Sequence, residues 1–556
     1  MHVKTTGWIG LGISPGRIVF QIDDYSLQIF DHSLAGGMTG ADIGVGWIDN
    51  VGTLYFQDRY AFNFSKPVID NTTMDWIGLQ GREENGWTAI QFKRLLEICD
   101  YMDLSIKSGT NIVIFAYGIS DPDQHQSIGD ISYHDTRRGT RMIPLRSYSD
   151  PPSENKFHGL DSFDFRLNNY LLPSTDTTYY CKVFKVPPRF PTKRHVIGYQ
   201  ILVNPSSKDI VHHMTTYECR ADAKFDDSKL PEGVCDDHIQ QFDPCLSNMA
   251  NGWAVGGEHI VEYPQEAGYP IGSDYPVKYY MIQIHFDNPH LESDRRDSSG
   301  IRFYVGEELR QCDIGYLTLG TESNPSGIVI PPKASEFAID AFCTPKATEK
   351  IPESGKSVWT KLIRKDTAVQ YLFNAESYNF NYQFLNNLPK PIKLYRGDAF
   401  VTQCVYNTMN RKDASLGGQK TIDEMCLQTF AYYPRMNDLF VCVSSLSPTA
   451  WLTMTNSSSL ANIETFKQWL NSIQWTPEVV AKWQQFYKNS SRLVRIIGGQ
   501  TFETISLDIL PTYQDLITTT SCNTANHRTE TFIFLSFIPL LMSTWCYLVE
   551  FLNTII

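Results

Sequence analysis

The chain of 556 residues is short of positive charge. It has 48 basic against 61 acidic residues, and its net charge is −13. A surface that neutralises phosphates needs the opposite balance, so nucleic acid is not an expected partner. Long disordered tracts are not expected either, because 42% of the residues are hydrophobic and only 20% are charged. The length predicts several folded domains.

The cysteines lack the close spacing of zinc sites. Twelve of them are scattered along the chain, and none forms a CxxC pair. Disulfides are therefore the favoured interpretation, which predicts an oxidising, secretory compartment. Four N-x-[ST] sequons favour the same compartment and predict glycosylation at Asn63, Asn71, Asn456 and Asn489.

The amino-terminal end lacks the basic stretch and apolar core of a signal peptide, so we expect the start to be incomplete. A long apolar run occurs at the other end, where residues 532–549 contain no charge. This run predicts a membrane anchor at 532–550, behind a polar linker at 501–531, with a lumenal or extracellular body. A buried helix or strand pair and a cleaved lipid-anchor signal are the alternatives.

Helical patterns are few in the interior of the chain. Short segments rich in β-branched and aromatic residues, bounded by Gly, Pro, Asn or Asp, predict an all-β fold of the sandwich type. Examples are NIVIFAY at 111–117 and VIGYQILV at 196–203. Helical spacing is convincing only at 88–97 and 463–486. Breaks near residue 150 and at 325–332 divide the chain into three β-rich units and a tail.

Histidine is scarce and unevenly placed, with twelve of the thirteen at or before residue 290. The adjacent pair His212 and His213 lies in a strand-like run, where neighbouring side chains point to opposite faces. Both can bind one metal only if the backbone bends or if they use different ring nitrogens. His285 is the best third ligand, because alternation places it on a polar strand face with Gln283. Three neutral imidazoles suit copper or zinc, and satisfied or surface histidines are the alternative.

Five separated motifs occur in an order that resembles the copper type II, ascorbate-dependent monooxygenases, and the dopamine beta-hydroxylase-like group among them. They are VHHMTTYEC at 211–219, YPQEAG at 263–268, IQIHFDNP at 282–289, DSSGIRFY at 297–304 and DEMC at 423–426. Upstream, GGMTGADIGVGWID at 36–49 and QDRYA at 57–61 resemble the DOMON domain that precedes the catalytic core in those relatives.

The resemblance implies a DOMON β-sandwich followed by two β-sandwich copper subdomains. We expect the DOMON domain at 1–147, the N-terminal copper subdomain at 165–325 and the C-terminal copper subdomain at 326–500. The hydrophobic C-terminal segment fits the membrane-anchored members.

The resemblance also implies two coppers. One is held by three histidines and passes electrons, and His212, His213 and His285 match these ligands. The other activates dioxygen and hydroxylates a C–H bond of a small substrate, with ascorbate as the reductant. Met425 matches the thioether ligand of that second copper.

One family motif is missing. Relatives carry an H-x-H pair between the motifs that match Ile330-Pro-Pro and Tyr395-Arg-Gly-Asp, and this chain has no histidine in that interval. A lone thioether holds copper poorly, so we expect one copper to be retained. A catalytically impaired relative or a cell-surface binding module is the alternative function. An insertion at 17–35, together with the incomplete start, points to an imperfect gene model or splice form.

The cysteines match the disulfide framework of the family. The pairs that the resemblance implies are Cys181 with Cys235, Cys219 with Cys245, Cys343 with Cys442 and Cys404 with Cys426. Cys99 pairs either with Cys522 or with no cysteine, and Cys312 and Cys546 have no assigned partner.

A third hypothesis makes the DOMON domain a haem or sugar binder, with Met38 and His134 as axial ligands by family analogy. The sequence contains no readable signal for the substrate or for the oligomeric state.

Overall fold

The fold was analysed in a computed structural model of the full chain. The residues that it describes are 1–15, 37–98, 100–122, 131–147, 151–246, 248–349, 355–357, 361–372, 374–379, 382–383, 390–420, 422–455, 463–499, 501–516 and 532–534. Several predicted features lie outside these ranges. They are the insertion at 17–35, the sequon at Asn456, the cysteines Cys99, Cys522 and Cys546, and most of the predicted anchor and the last half of the predicted linker.

The described residues are predominantly β-structure, as predicted, and they form two compact units. The first unit is built mainly from Met1–Arg146 and contains two antiparallel sheets. In sheet order, the larger has the strands Val68–Ile69, Leu54–Ala61, Ala41–Ile48, Ile9–Ser14, Asn111–Tyr117 and Arg138–Ile143. In the smaller, the strand Trp87–Leu95 pairs with His2–Val3, Trp76–Glu84 and Phe532–Phe534.

The second unit comprises Ser147–Asn374 and Tyr378–Thr518, and its first half packs two sheets around one core. In order, the five-stranded sheet has Glu232–Val234, Thr177–Lys185, Tyr279–Asp287, Val211–Glu218 and Asn248–Ala254. The six-stranded sheet has Asp161–Arg166, Gly300–Val305, Arg194–Leu202, Ala267–Ile271 and Cys312–Asp313, with Ile260–Glu262 paired to Arg194–Leu202. A two-stranded ladder joins Tyr170–Leu171 to Arg296–Asp297. Apolar side chains of both sheets, such as Val196, Ile201, Met214 and Ile284, fill the space between them.

The second half of this unit also has two principal sheets. One contains, in order, Cys426–Tyr432, Gly315–Thr321, Val441–Leu446, Arg492–Ile497 and Phe502–Leu507. The other contains Phe337–Cys343, Ala399–Tyr406, Lys361–Arg364 and Thr367–Tyr371. Two short ladders pair Val329–Ile330 with Ser415–Leu416, and Gly355–Ser357 with Ile392–Leu394.

Helices are few and short in the described residues. The α-helices are Ile239–Phe242, Pro345–Thr348, Pro448–Thr455, Ile463–Ser472 and Pro477–Asn489, and the 3-10 turns are Glu154–Phe157, Pro205–Ser207, Asp236–His238 and Asp243–Cys245. The helical prediction for 463–486 is confirmed, with a break before Pro477. Thr476 caps the following helix through its hydroxyl, and Pro477 occupies the first helical position, where it loses no hydrogen bond.

The predicted helix at 88–97 is wrong, because the strand Trp87–Leu95 occupies this segment. Its burial alternates strictly, with Thr88, Ile90, Phe92 and Arg94 facing inward. Two of these four inward residues are polar, so the period-2 pattern is hidden when only apolar residues are counted.

The four disulfides of the described residues join Cys181 to Cys235, Cys219 to Cys245, Cys343 to Cys442 and Cys404 to Cys426. These are the four pairs that the family resemblance implies. Cys312 is a free thiol. Cross-links of this kind persist in oxidising compartments.

No helix in the described part of the chain is long and apolar enough to span a membrane. Of the predicted anchor, only Phe532–Phe534 is described, as a strand. The sequon residues Asn63, Asn71 and Asn489 are exposed, and their glycosylation stays a prediction.

Candidate metal centre

Strand pairing in the first half of the second unit brings the three predicted histidine ligands together. The central strand Tyr279–Asp287 pairs with Val211–Glu218 on one side and with Thr177–Lys185 on the other. In this register His285 lies opposite His213 and also opposite Tyr179. His285 and His212 are buried, and His213 is partly buried.

A β-bulge solves the problem posed by two adjacent histidines. Val211 is opposite Phe286 and His213 is opposite His285, so His212 is an extra residue with no counterpart on the central strand. An extra residue bends a strand and re-aims its side chain. The rings of His212 and His213 can therefore lie on the same side of the sheet.

The geometry of the three imidazoles fits a single transition-metal ion. The Nδ1 atom of His213 is 3.2 Å from Nδ1 of His212 and 3.3 Å from Nδ1 of His285. A tetrahedral ion about 2.05 Å from each nitrogen holds its ligands about 3.3 Å apart. One nitrogen from each residue lies within 4.8 Å of the others. Three imidazole nitrogens form a donor set that suits copper or zinc.

The surroundings favour the neutral forms of His213 and His285, and a neutral imidazole is the form that binds a metal. Burial, with the neighbouring His285 and His212, holds the pKa of His213 well below its ordinary range. Burial, with the charge of His212, lowers the pKa of His285 to about 3. Protons therefore compete weakly with a metal for the nitrogens of His213 and His285 at neutral pH.

Tyr179 is a site residue that the sequence analysis missed. Its ring is parallel to that of His285, with centroids 4.4 Å apart, and its hydroxyl donates to the backbone carbonyl of Gln419 at 2.6 Å. Gln419 belongs to the second half of the unit, six residues before Met425. Tyr179 therefore connects the histidine centre to the segment that carries Met425. Its strand, Thr177–Lys185, was not among the segments that the sequence analysis singled out.

Gln283 lies on the same strand face as His285 and lines a cavity of about 200 Å³. Its side-chain oxygen accepts from the hydroxyls of Thr215 and Tyr217 at 3.5 Å, and its nitrogen lies 3.8 Å from the sulfurs of one disulfide. Gln283 is buried and is not a solvated surface residue. The other lining residues are Tyr217, Cys235, Asp236, Ile239, Phe242, Leu246 and Gln419.

Met425 directly precedes the strand Cys426–Tyr432. It is 40% exposed, and its backbone carbonyl accepts from the hydroxyl of Tyr406 at 3.1 Å. The groups of three metal-ligating side chains found in the described ranges are the histidine centre and two groups of aspartates in the first unit. The interval in which relatives carry the H-x-H pair contains no histidine in this chain.

Three family models match the chain. Residues 163–293 match the N-terminal domain and residues 312–455 the C-terminal domain of the copper type II ascorbate-dependent monooxygenases, and residues 1–118 match the DOMON domain. The chain is 30% identical to DBH-like monooxygenase protein 1 of Homo sapiens over 459 aligned residues. The alignment covers 79% of this chain and 69% of that protein. The chain belongs to the copper type II ascorbate-dependent monooxygenase family. Copper and the reductant ascorbate are the cofactors that this family implies.

Two further relatives show how far the likeness extends. DBH-like monooxygenase protein 2 of Mus musculus is 28% identical over 552 residues, covering 92% of this chain and 80% of the relative. Dopamine beta-hydroxylase of Rattus norvegicus is 30% identical over 439 residues, covering 75% of this chain and 68% of the relative. The match to copper monooxygenases therefore spans both halves of the second unit.

Proposed function

We propose that this chain is a copper-dependent, ascorbate-reduced monooxygenase of the dopamine beta-hydroxylase type that hydroxylates a C–H bond of a small substrate. In this proposal His212, His213 and His285 hold the copper that passes electrons. The observation that carries the proposal is the convergence of three largely buried imidazole nitrogens at metal-ligand spacing.

Each residue of the centre has a defined task. The bulge at His212 turns its ring toward that of His213, and the packed strand Tyr279–Asp287 fixes His285. Tyr179 covers one face of the His285 ring and limits its rotation. Copper, when bound, supplies one-electron transfer between the reductant and the reaction. A ligand set held in place by the fold does not have to reorganise when the ion changes oxidation state.

The surroundings of Met425 favour a second candidate function, that of a catalytically impaired relative or cell-surface binding module with one copper. A thioether alone is a weak ligand, and the interval in which relatives carry the H-x-H pair has no histidine here. The two candidates differ in the number of coppers per chain.

We also propose a division of the chain into a DOMON domain at 1–147 and copper subdomains at 165–325 and 326–500, followed by a linker at 501–531 and an anchor at 532–550. The matched family ranges follow the same order, and the C-terminal copper range begins at residue 312, 14 residues before the proposed boundary at 326. A secretory location is favoured by the four disulfides. Dioxygen, ascorbate and a small molecule are the proposed reaction partners.

Copper per chain tests the proposal directly. The purified protein is loaded with copper, dialysed and measured alongside His285→Ala, Met425→Ala and His290→Ala. His290 is an exposed histidine of the same half and serves as the matched control. Two coppers, one lost in each of the first two variants, would establish the monooxygenase with both sites.

One copper, lost in His285→Ala and kept in Met425→Ala and His290→Ala, would establish the second candidate. Electron paramagnetic resonance of the oxidised protein should then show nitrogen coupling from the imidazoles. Copper that is equally retained in His285→Ala would contradict the histidine centre.

A further inference from the structure

The first unit carries a local excess of positive charge, although the chain as a whole is acidic. Residues 131–147 contain four arginines and one aspartate, which gives +3, whereas the full chain has a net charge of −13. Three of these arginines, Arg137, Arg138 and Arg141, fall within five residues. They lie in or directly before the strand Arg138–Ile143, which forms one edge of the larger sheet.

The strand Arg138–Ile143 has one unpaired side among the described residues. It pairs antiparallel with Asn111–Tyr117, with Arg138 opposite Ala116, and no other described strand pairs with it. Charged side chains at such an edge prevent pairing with another chain. The same side chains remain accessible to a ligand of opposite charge.

No carboxylate balances the charge of Arg138 and Arg141. Both side chains are exposed, and neither forms an ion pair with an acidic residue in the described part of the chain. Arg141 donates to the backbone carbonyl of its neighbour Thr140 at 3.0 Å. The next two strands of the sheet, Asn111–Tyr117 and Ile9–Ser14, contain no charged residue. The positive field of the two arginines therefore reaches solvent without neutralisation.

Arg137 has a different task, because its guanidinium is held by the protein. It is 3.2 Å from the carboxylate of Asp135, and it donates to the backbone carbonyls of Tyr117 and Tyr133, each at 3.3 Å. These contacts tie the loop before the edge strand to the sheet. The same loop presents Tyr133, which is 68% exposed and whose ring centroid is 4.8 Å from that of His134. An exposed aromatic ring is thus fixed in the loop that leads into the arginine-rich strand.

We propose that the edge strand Arg138–Ile143 and the loop before it bind a sulfated glycosaminoglycan. Arginine binds oxyanions through two parallel N–H donors, and sulfate offers the required pair of oxygens. Arg138 and Arg141 are three residues apart, about 10 Å along a strand. This separation suits an anion that repeats its charges along a chain better than a single small ion. The Tyr133 ring supplies an apolar face on which a sugar ring can pack.

The compartment selects the kind of polyanion. The four disulfides favour the secretory location that we propose, where sulfated glycans and not nucleic acids are the linear polyanions. The choice of a glycan rests on that proposed location. The charge and exposure of the arginines do not depend on it, and neither involves copper.

Heparin binding by the full chain tests the proposal. A chain with a net charge of −13 is repelled by a polyanion unless a local site binds it. We expect retention on immobilised heparin at about 0.15 M salt, and loss of retention when Arg138→Gln is combined with Arg141→Gln. In solution, the affinity for a heparin octasaccharide should fall on the order of 10-fold or more in the double variant. The slope of log Kd against log salt should fall by about 2, because each contacting cation accounts for about one unit.

The matched control combines Arg82→Gln with Arg220→Gln. Both arginines are exposed, but each pairs with a carboxylate, Arg82 with Glu84 and Arg220 with Asp243. The control changes the net charge by the same amount and should leave heparin binding unchanged. Equal losses in the two double variants would overturn the proposal. So would absence of heparin binding by the unsubstituted chain, including the case in which that chain binds phosphatidylserine vesicles instead.

A second measurement needs no variant. Hydrogen–deuterium exchange of the unsubstituted chain, with and without the heparin octasaccharide, should show protection in peptides that cover residues 131–143. Unsulfated hyaluronan of the same length should give no protection there. Protection confined to other segments, or equal protection by hyaluronan, would overturn the proposal.

Discussion

Glu218 and Arg435 form a buried bidentate ion pair that joins the two halves of the second unit. The guanidinium donates to both carboxylate oxygens, at 2.7 and 2.5 Å. Glu218 ends the strand that carries His212 and His213, and Arg435 follows the strand that begins beside Met425. The hydroxyl of Tyr269 and the amide of Asn248 also donate to Glu218.

Arg435→Met should lower the free energy of unfolding by about 3–5 kcal/mol, because it leaves the Glu218 carboxylate buried without its cation. Adding Glu218→Gln should restore part of the loss. Denaturant unfolding measures both. Arg220→Met is the control, since its partner Asp243 is exposed and the pair should be worth less than about 1 kcal/mol. Equal losses for Arg435→Met and Arg220→Met would contradict this role.

Tyr179→Ala should weaken copper binding by about 10-fold, because residues that orient a metal ligand typically contribute that much. Tyr179→Phe keeps the ring over His285 and loses only the hydroxyl bond to Gln419. It should retain wild-type copper affinity and lose about 1 kcal/mol of stability. Competition with a chelator of known affinity measures the difference. A loss of affinity in Tyr179→Phe as large as in Tyr179→Ala would assign the effect to the hydroxyl.

His195 provides a contrast to the three histidines of the candidate metal centre, because both of its ring nitrogens are engaged by the protein. Its Nε2–H donates to Asp313 at 2.8 Å, and its Nδ1 accepts the backbone N–H of Arg310 at 2.9 Å. His195→Ala should lower stability by about 2–3 kcal/mol, since it leaves buried polar groups unpaired. Copper per chain should not change. Loss of copper from a folded His195→Ala protein would contradict this purely structural assignment.

Asp121 should make the stability of the first unit depend on pH. Burial, with the nearby charges of Glu83 and Asp49, raises its pKa from 3.8 to about 6. The folded state therefore holds this proton more tightly than the unfolded state, and the stability contributed by the proton is lost as pH rises from about 4 to about 6. The free energy of unfolding of Asp121→Asn should equal that of the unsubstituted protein near pH 4. Above pH 7 it should be higher by about 1 kcal/mol, after allowance for the partial exposure of Asp121. Melting temperatures across this range measure the effect, and a difference that does not vary with pH would contradict it.

Much of the histidine centre could be predicted from the sequence. Alternation placed Gln283 and His285 on one strand face, and the ordered motifs supplied His212 and His213. The bulge could not be predicted, because it depends on the register against the Tyr279–Asp287 strand, which is a long-range property. Tyr179 was missed for the same reason, since its partner Gln419 is distant in the sequence.

Buried polar residues account for the features that the sequence analysis missed or misassigned in the first unit. Arg94 and Thr88 face inward on the strand Trp87–Leu95, which obscured its period. The two groups of aspartates in this unit contain residues from loops and strands between positions 42 and 103, at no fixed spacing. They are Asp42, Asp58, Asp70, Asp100 and Asp103. No local pattern distinguishes such carboxylates from those of a solvated surface, because folding alone brings them together.

The hydrogen bond from Tyr179 ends on a main-chain carbonyl and not on a side chain. Every amino acid has a backbone carbonyl, so substitutions at position 419 leave the acceptor of this bond in place. Comparisons of residue identity among homologues therefore do not detect the bond. A change in the length of the segment before Met425 does affect the bond, because it places a different backbone carbonyl, or none, next to the hydroxyl of Tyr179. This contact between the two halves of the unit therefore depends on loop length, and insertions or deletions around residue 419 are the changes that would break it.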